Sequence, residues 1–518
     1  MSLPIECGLT LLRAVAVALV ACPVTALLAA GISTASPRRS QLATLALVVP
    51  FLTPGFVVGY AYSNVTLSLA RQPVLNELLY DLLLLLQVVP VGTLVLLFAP
   101  PPPLGPTADH CRRLAGRQRL DRFRTTRHLA CLRNGELRNR LPAIGLMALL
   151  VFHEFEIASL FRVIAGGRVT PASWSNALFE ATALQGLGER NPSNLWERGW
   201  LPLVCSLMLI SPLLSLLWSA RPAPDADISR QRPRPRRGVQ WSIRGWLGLS
   251  LAAVTVVPLV SLIVDGWSTW PSFWEGQRSL HSLSVQSARS LAVAVVATLL
   301  ASLVAIGLLQ ARRTRSLIVL ALPGLLGSLS LGLLLTWAFL RFAGPGLQHT
   351  VIALCLGESL WLLPRAALLV GLLTVFPPRK QHHLSRLLYD SPSREQRAAG
   401  RRLLWTLTGK RVALLCGLLC WWGFLELTIN ELLAPAEWLS VAHRMYQQMH
   451  FGRNGALSAM TLLVILVPLG WITVLSVVGH HLPSVLPWGH SRRPLAFSSG
   501  RRDSGSLRRD PVAQEPPS

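Results

Sequence analysis

The stretch that decides the fold runs from 377 to 452. It opens with PPRKQHHLSRLLYDSPSREQRAAGRRLLWTLTGKR (377–411), which carries nine Lys/Arg. It passes into VALLCGLLCWWGFLELTINELL (412–433), an apolar run long enough to cross a bilayer at about 1.5 Å per residue. It ends in PAEWLSVAHRMYQQMHFG (435–452), with one polar and one apolar face. A basic loop belongs at the cytoplasmic leaflet, a continuous apolar run in hydrocarbon, and an amphipathic segment at the opposite surface. The order basic loop, spanning helix with acids, amphipathic helix recurs once earlier in the chain.

Working outward, the 518 residues are 51% hydrophobic and only 14% charged, which overrides a reading as several soluble domains. Eleven apolar runs read as spans, at about 9–31, 43–62, 78–99, 142–161, 199–219, 245–266, 287–310, 317–340, 350–376, 412–433 and 456–478. The net charge of +25 raises nucleic-acid binding, but its distribution answers that. With the N-terminus outside and loops assigned alternately, cytoplasmic loops hold 37 Lys/Arg and outer loops 8. The bias predicts an N-out, C-in orientation and no nucleic-acid partner. Arg38 and Arg39 follow the first apolar run rather than preceding it, the reverse of a cleavable signal.

The eight cysteines show no metal-ligand spacing with histidines and read as small packing residues. Pro50 and Pro54 predict a kinked second span, and Pro90 interrupts the third. RPAPDADISRQRPRPRRGVQ (221–240) reads as a cytoplasmic linker within 221–244, and 481–518 as a disordered cytoplasmic tail.

Two halves repeat. LALVVPFLTPG (45–55) matches LALPGLLGSLSLG (320–332), and QVVPVGTLVLL (87–97) matches LLPRAALLVGLL (362–373). Pro50 falls on Pro323 and Pro90 on Pro364, offsets of 273 and 274. FHEFEIASLF (152–161) falls on FLELTINELL (424–433), and Pro171-Ala172-Ser173-Trp174 on Pro435-Ala436-Glu437-Trp438. The expected fold is all-α and polytopic: a first half over 1–220, an extra span with its outer loop over 245–286, and a second half over 287–480. An odd number of spans between equivalent helices makes the halves parallel, as in many transporters.

SARSLAVAVVATLLASLVAIGLL (287–309), ALPGLLGSLSLGLLL (321–335), ESLWLLPRAALLVGLL (358–373) and ELTINELLAPAEWLSVAHRMYQQMHFGRNGALSAMTLL (426–463) carry a resemblance. The second half resembles the membrane subunit of a bacterial ABC importer of the iron(III)/thiamine type with two fused permease halves; residues 9–219 resemble it more weakly. The resemblance implies a bacterial cytoplasmic membrane, a separate cytoplasmic ABC ATPase dimer, an extracytoplasmic substrate-binding protein, no cofactor in this chain, and iron(III) or another small ion or nutrient as substrate. It also implies a Glu-Ala-Ala-x-x-x-Gly loop in each half that seats in the ATPase. Those loops fall at 101–141 and 377–411. The first places Arg124-Thr125-Thr126 and Ala130 on the motif. The second, aligned on Ser391-Pro392 with Ser393 beyond, puts His383 at the glutamate and Tyr389 at the glycine. Neither keeps the motif glutamate or glycine, which leaves open a membrane scaffold derived from a permease. A secondary transporter is a third reading, against which the acids lie too far from the midplane.

The chain has no phosphate-binding Walker loop, no His-Glu-x-x-His and no Gly-x-Ser-x-Gly, so no enzymatic activity is expected of it. Glu154, Glu156 and Glu426 are the candidate path-lining residues, because a carboxylate in hydrocarbon costs roughly 2.5–3.5 kcal/mol unless hydrated or paired. The competing expectation is helix-to-helix hydrogen bonding, or ion pairs with Arg13 or Arg289. Glu358 and Arg365 share a helix face and read as a structural pairing through neighbours. The outer segments 171–186 and 435–450 read as docking helices for a binding protein or as interfacial helices anchored by Trp174 and Trp438.

Overall fold

The computed structural model describes residues 3–98, 136–165, 168–184, 200–211, 237–268, 271, 277–311, 313–375, 384–385, 387–404, 410–435, 437–438, 440–450, 456–464 and 470. The first helices are α1 (Leu3–Thr34), α2 (Pro37–Leu52), α3 (Gly55–Ser68) and α4 (Pro73–Phe98). Then come α5 (Glu136–Phe152), α6 (Glu156–Leu160), a hairpin of β1 (Val163–Ala165) and β2 (Arg168–Thr170), α7 (Trp174–Leu184) and α8 (Trp200–Ser211). Next, α9 (Arg237–Leu251) runs through one π turn into α10 (Val257–Trp267). The remainder is α11 (Gln277–Gln310), α12 (Thr314–Leu325), α13 (Ser328–Ala338), α14 (Pro345–Gln348), α15 (Val351–Val375), α16 (Arg394–Leu404), α17 (Lys410–Phe424), α18 (Thr428–Leu433), α19 (Val441–His450) and α20 (456–464).

Five stretches among the described residues are long and apolar enough to cross a membrane: Leu3–Thr34, Pro73–Leu97, Ala143–Leu160, Gln240–Trp267 and His281–Leu309. A sixth is added if Arg315–Leu325 and Ser328–Phe342, which meet at 99°, form one broken span. The side chains are sorted for lipid. Leu12, Leu19 and Val20 of α1 and Leu299 and Leu303 of α11 are exposed, while Ala14, Ala18, Ala21, Ala294, Ala297, Ala301 and Ala305 are buried. Outside, hydrocarbon welcomes Leu and Val. Inside, small residues let helix backbones approach, which drives association where no water is displaced. Accordingly α1 lies against α4 and α5, and α11 lies against α15 and α17.

Prolines set the irregularities. Pro90 has no N–H for the carbonyl of Leu86, one turn back, and Ser250 Oγ of α9 donates to that oxygen at 3.1 Å. The π turn Ala252–Val256 precedes Pro258, and Tyr62 Oη donates to the Ala253 carbonyl at 2.9 Å. Pro364 likewise leaves the Leu360 carbonyl without its helical partner. Gly324 of α12 packs against that oxygen so closely that a β-carbon would overlap it.

Two expectations change here. The second span is broken rather than kinked: α2 stops at Leu52 and α3 starts at Gly55, across Thr53-Pro54. The run 317–340 is not one helix either. It breaks at Leu326-Gly327, where Gly327 adopts φ 90°, a left-handed conformation that costs a residue with a β-carbon dearly. Of the expected linker 221–244, residues 237–244 are the first turns of α9 rather than linker, and 221–236, like the tail 481–518, lie outside the described residues.

Candidate functional site at the helix breaks

The apolar runs 142–161 and 412–433, expected as continuous helices, also break. Helix α5 ends at Phe152 and α6 begins at Glu156; α17 ends at Phe424 and α18 begins at Thr428. A helix that starts inside hydrocarbon exposes N–H groups that no water can satisfy. Each break supplies a glutamate for them. Glu154 Oε1 accepts from the Ile157 amide at 2.5 Å, and its Oε2 from the Ala158 amide at 3.1 Å and Tyr80 Oη at 2.9 Å. Glu426 Oε1 accepts from the amides of Thr428 at 3.0 Å and Ile429 at 3.2 Å. In the aligned sequences Phe-His-Glu-Phe-Glu-Ile and Phe-Leu-Glu-Leu-Thr-Ile these are the same position, doing the same work.

Glu156 caps a third helix start. Its Oε2 accepts from the Phe56 amide at 2.9 Å, at the first turn of α3. Gly55 makes room, since a β-carbon there would lie 2.8 Å from that oxygen. The three candidate acids therefore stand at the breaks, and Glu156 lies within electrostatic reach of both Glu154 and Glu426. Neither Arg13 nor Arg289 forms an ion pair with any of them among the described residues. Arg13 pairs with Glu77 and, at 3.2 Å, with Asp81.

Around the breaks lie residues whose roles the sequence left unread. The ring of His153 packs on Gly327, joining the break after α5 to the break after α12, and its Nε2 is 2.8 Å from Ser206 Oγ. Asn430 Nδ2 donates to Glu358 Oε1 at 3.0 Å and to the Glu426 carbonyl at 2.6 Å, tying α15 to α18. Arg365 does not join Glu358. Its Nη1 donates to the Trp361 carbonyl at 2.8 Å, and its guanidinium lies 3.9 Å above the Trp361 ring and 5.5 Å from that of Trp422. A shared helix face flagged the two residues, whereas the i, i+4 spacing of Trp361 and Arg365 brings the ring and guanidinium together.

The amphipathic segments correct one expectation. Trp174 is no surface anchor: it is fully buried, its Nε1 donates to the Phe152 carbonyl at 2.6 Å, and its ring stacks on Phe152 at 5.3 Å. Trp438 is half-buried, with the Arg289 guanidinium 5.4 Å above it. An arginine clasps each aligned turn. Arg13 Nη1 donates to the Ala172 carbonyl at 2.6 Å, and Arg289 Nη1 to the Glu437 carbonyl at 2.7 Å. Phe155 and Phe179 line one small void together with Leu427, Thr428, Glu431 and Tyr446.

In the two basic loops, Arg124, Thr125, Thr126 and Ala130 of the first and His383 of the second lie outside the described residues. Tyr389 ends a short helical turn, and Ser391-Pro392-Ser393 leads into α16. Ser393 and the first turn of α16 are exposed. Gly400 packs directly on the Leu388–Tyr389 backbone, folding the turn and helix into a hairpin. The hydroxyl of Ser391 donates to Gln396, and Arg397 Nη2 to the Pro392 carbonyl at 3.3 Å, which fixes the bend.

Among the described residues no cluster of three His, Cys, Asp or Glu side chains forms a metal-binding group. Compared with protein-family models, curated proteins and solved structures, the chain matches none. The fold and site define a helical membrane-type protein organised around broken helices with glutamate caps.

Proposed function

We propose that the chain is the permease subunit of an ABC importer of the bacterial cytoplasmic membrane, built of two parallel five-span halves and one extra span, N-terminus out and C-terminus in. Its substrate is iron(III) or another small ion or nutrient, received from an extracytoplasmic binding protein. ATP is hydrolysed by a separate dimeric subunit. The observation that carries this reading is the pair of capped breaks: Glu154 before α6 and Glu426 before α18, at aligned positions, with Glu156 within electrostatic reach of both. Discontinuous helices meeting between related halves are a recurring construction of substrate pathways, because irregular backbone at membrane depth persists only where protein or a cavity satisfies it. The parallel contacts of α1 with α4 and α5, and of α11 with α15 and α17, support two related halves.

The hairpin at 384–404 has the shape and exposure of a docking element, and the arginines of α16 suit an acidic partner surface. A cysteine placed at Ser393 should crosslink to a nucleotide-binding subunit in native membranes. Capture of no ATPase from Ser393 or Thr126 would favour the scaffold reading, which the missing glutamate and glycine of both loops motivate.

A further inference from the structure

The centre of the molecule holds several ionisable groups but leaves few of them available. Glu154 commits both oxygens, Glu156 its Oε2 and Glu426 its Oε1 to helix amides. Glu358 gives Oε1 to Asn430, and its Oε2 is enclosed against Gly423, which itself packs on Ala294 of α11. His153 faces Ser206, whose own hydroxyl proton goes to the Pro202 carbonyl at 2.7 Å. Ser206 is thus placed to accept from Nε2–H, and Nδ1 is pressed on Gly327.

Arg365 is different. It is half-buried, forms no salt bridge among the described residues, and uses one nitrogen on its own helix's carbonyl. It stands within electrostatic reach of Glu426 in one half and His153 in the other. Glu426 is turned toward the start of α18 and does not close on it. Trp361 and Trp422 hold the guanidinium plane in place. An intramembrane arginine is costly and needs a counter-charge, and a planar fork of N–H donors is shaped to take two oxygens of one anion.

We infer that Arg365 is an anion-recognition residue at the centre of the pathway, so that the species carried arrives as an oxyanion or as a metal chelate of net negative charge. That it is carried rests on the importer reading; that it binds does not. Glu426 is held on the α18 amides and so shares its charge between those N–H groups and Arg365.

The test is equilibrium binding of sulfate, inorganic phosphate, citrate and iron(III) citrate to the full chain in lipid nanodiscs. At least one should bind saturably, with Arg365→Gln weakening it at least about tenfold, the scale of one charge-assisted hydrogen bond. Arg365→Lys keeps the charge but loses the planar fork and should weaken binding measurably, and it serves if the glutamine variant does not insert. Arg341→Gln, at an exposed position, should bind as the native chain does. Preference for iron(III) citrate over the three free anions identifies a chelate, and the reverse a free oxyanion. Absence of binding by all four, or equal binding by the Arg365 variants, overturns the inference. Arg365-dependent binding in a protein from which Ser393 captures no ATPase would instead sink the importer reading alone.

Discussion

Glu426 and Glu154 stand where a membrane helix has stopped, and single-atom changes separate capping from path lining. Glu426→Gln keeps a carbonyl oxygen for the Thr428 and Ile429 amides and loses only the charge assistance. Glu426→Ala leaves those amides unbonded away from water, a loss of about 1–3 kcal/mol. Thermal melting in detergent should rank native above glutamine above alanine. An unchanged melting point for the alanine variant would remove the capping role. Trp174→Ala should be more damaging, by about 3–5 kcal/mol, because it empties a buried site and frees the Phe152 carbonyl. Much of this lay beyond the sequence. Intramembrane acids announce themselves as expensive, so Glu154, Glu156 and Glu426 were legible as a group. Whether a carboxylate meets a cavity or an amide depends on where the helix breaks, and no residue at 153–155 or 425–427 is a glycine or proline that would signal it. Trp174 misled for a related reason: an aromatic in an amphipathic segment suits an interface and a core equally well.

The elements are joined by glycines at their closest approaches, and two of these give sharp expectations. Gly327→Ala forces a β-carbon into the left-handed region and into the His153 ring. It should lower both melting temperature and membrane abundance, and His153→Ala should restore part of the loss by vacating the space. Failure of that rescue would show the backbone conformation alone to be limiting. Gly400→Leu acts elsewhere, wedging the hairpin of 384–404 open at Tyr389. It should leave the melting of the membrane bundle unchanged while reducing crosslinking from a cysteine at Ser393, as measured by the yield of captured ATPase. Prolines made the irregular spans readable at this scale, since a missing N–H is a fact of composition. Pro50, Pro54, Pro90 and Pro364 all mark places where the ladder is interrupted. What satisfies the freed carbonyls, such as Ser250 on Leu86, comes from a distant helix and leaves no local trace.

For the whole molecule the decisive quantity is which side each loop occupies. Cytoplasmic assignment of alternate loops gathers 37 basic residues against 8 outside, and these charges act through short segments beside the apolar runs. The N-terminal half of α1 carries a different kind of charge: Arg13 is locked to Glu77 and Asp81, and so balanced locally rather than read as a topology signal. Reporter fusions at Arg237, Lys410 and Arg502 should therefore register cytoplasm, and fusions at Gly188 and Gly452 the outside. The position at Lys410 bears most weight, because the basic stretch 377–411 and the exposed arginines of α16 are at once a strong orientation signal and the proposed ATPase-facing surface. An external signal there would reverse the bundle, put the 384–404 hairpin out of reach of any ATPase, and place the turns clasped by Arg13 and Arg289 in the cytoplasm. A cytoplasmic signal at Lys410 with an external one at Gly452 would leave the capped break at Glu426 between the two surfaces, where a pathway must pass.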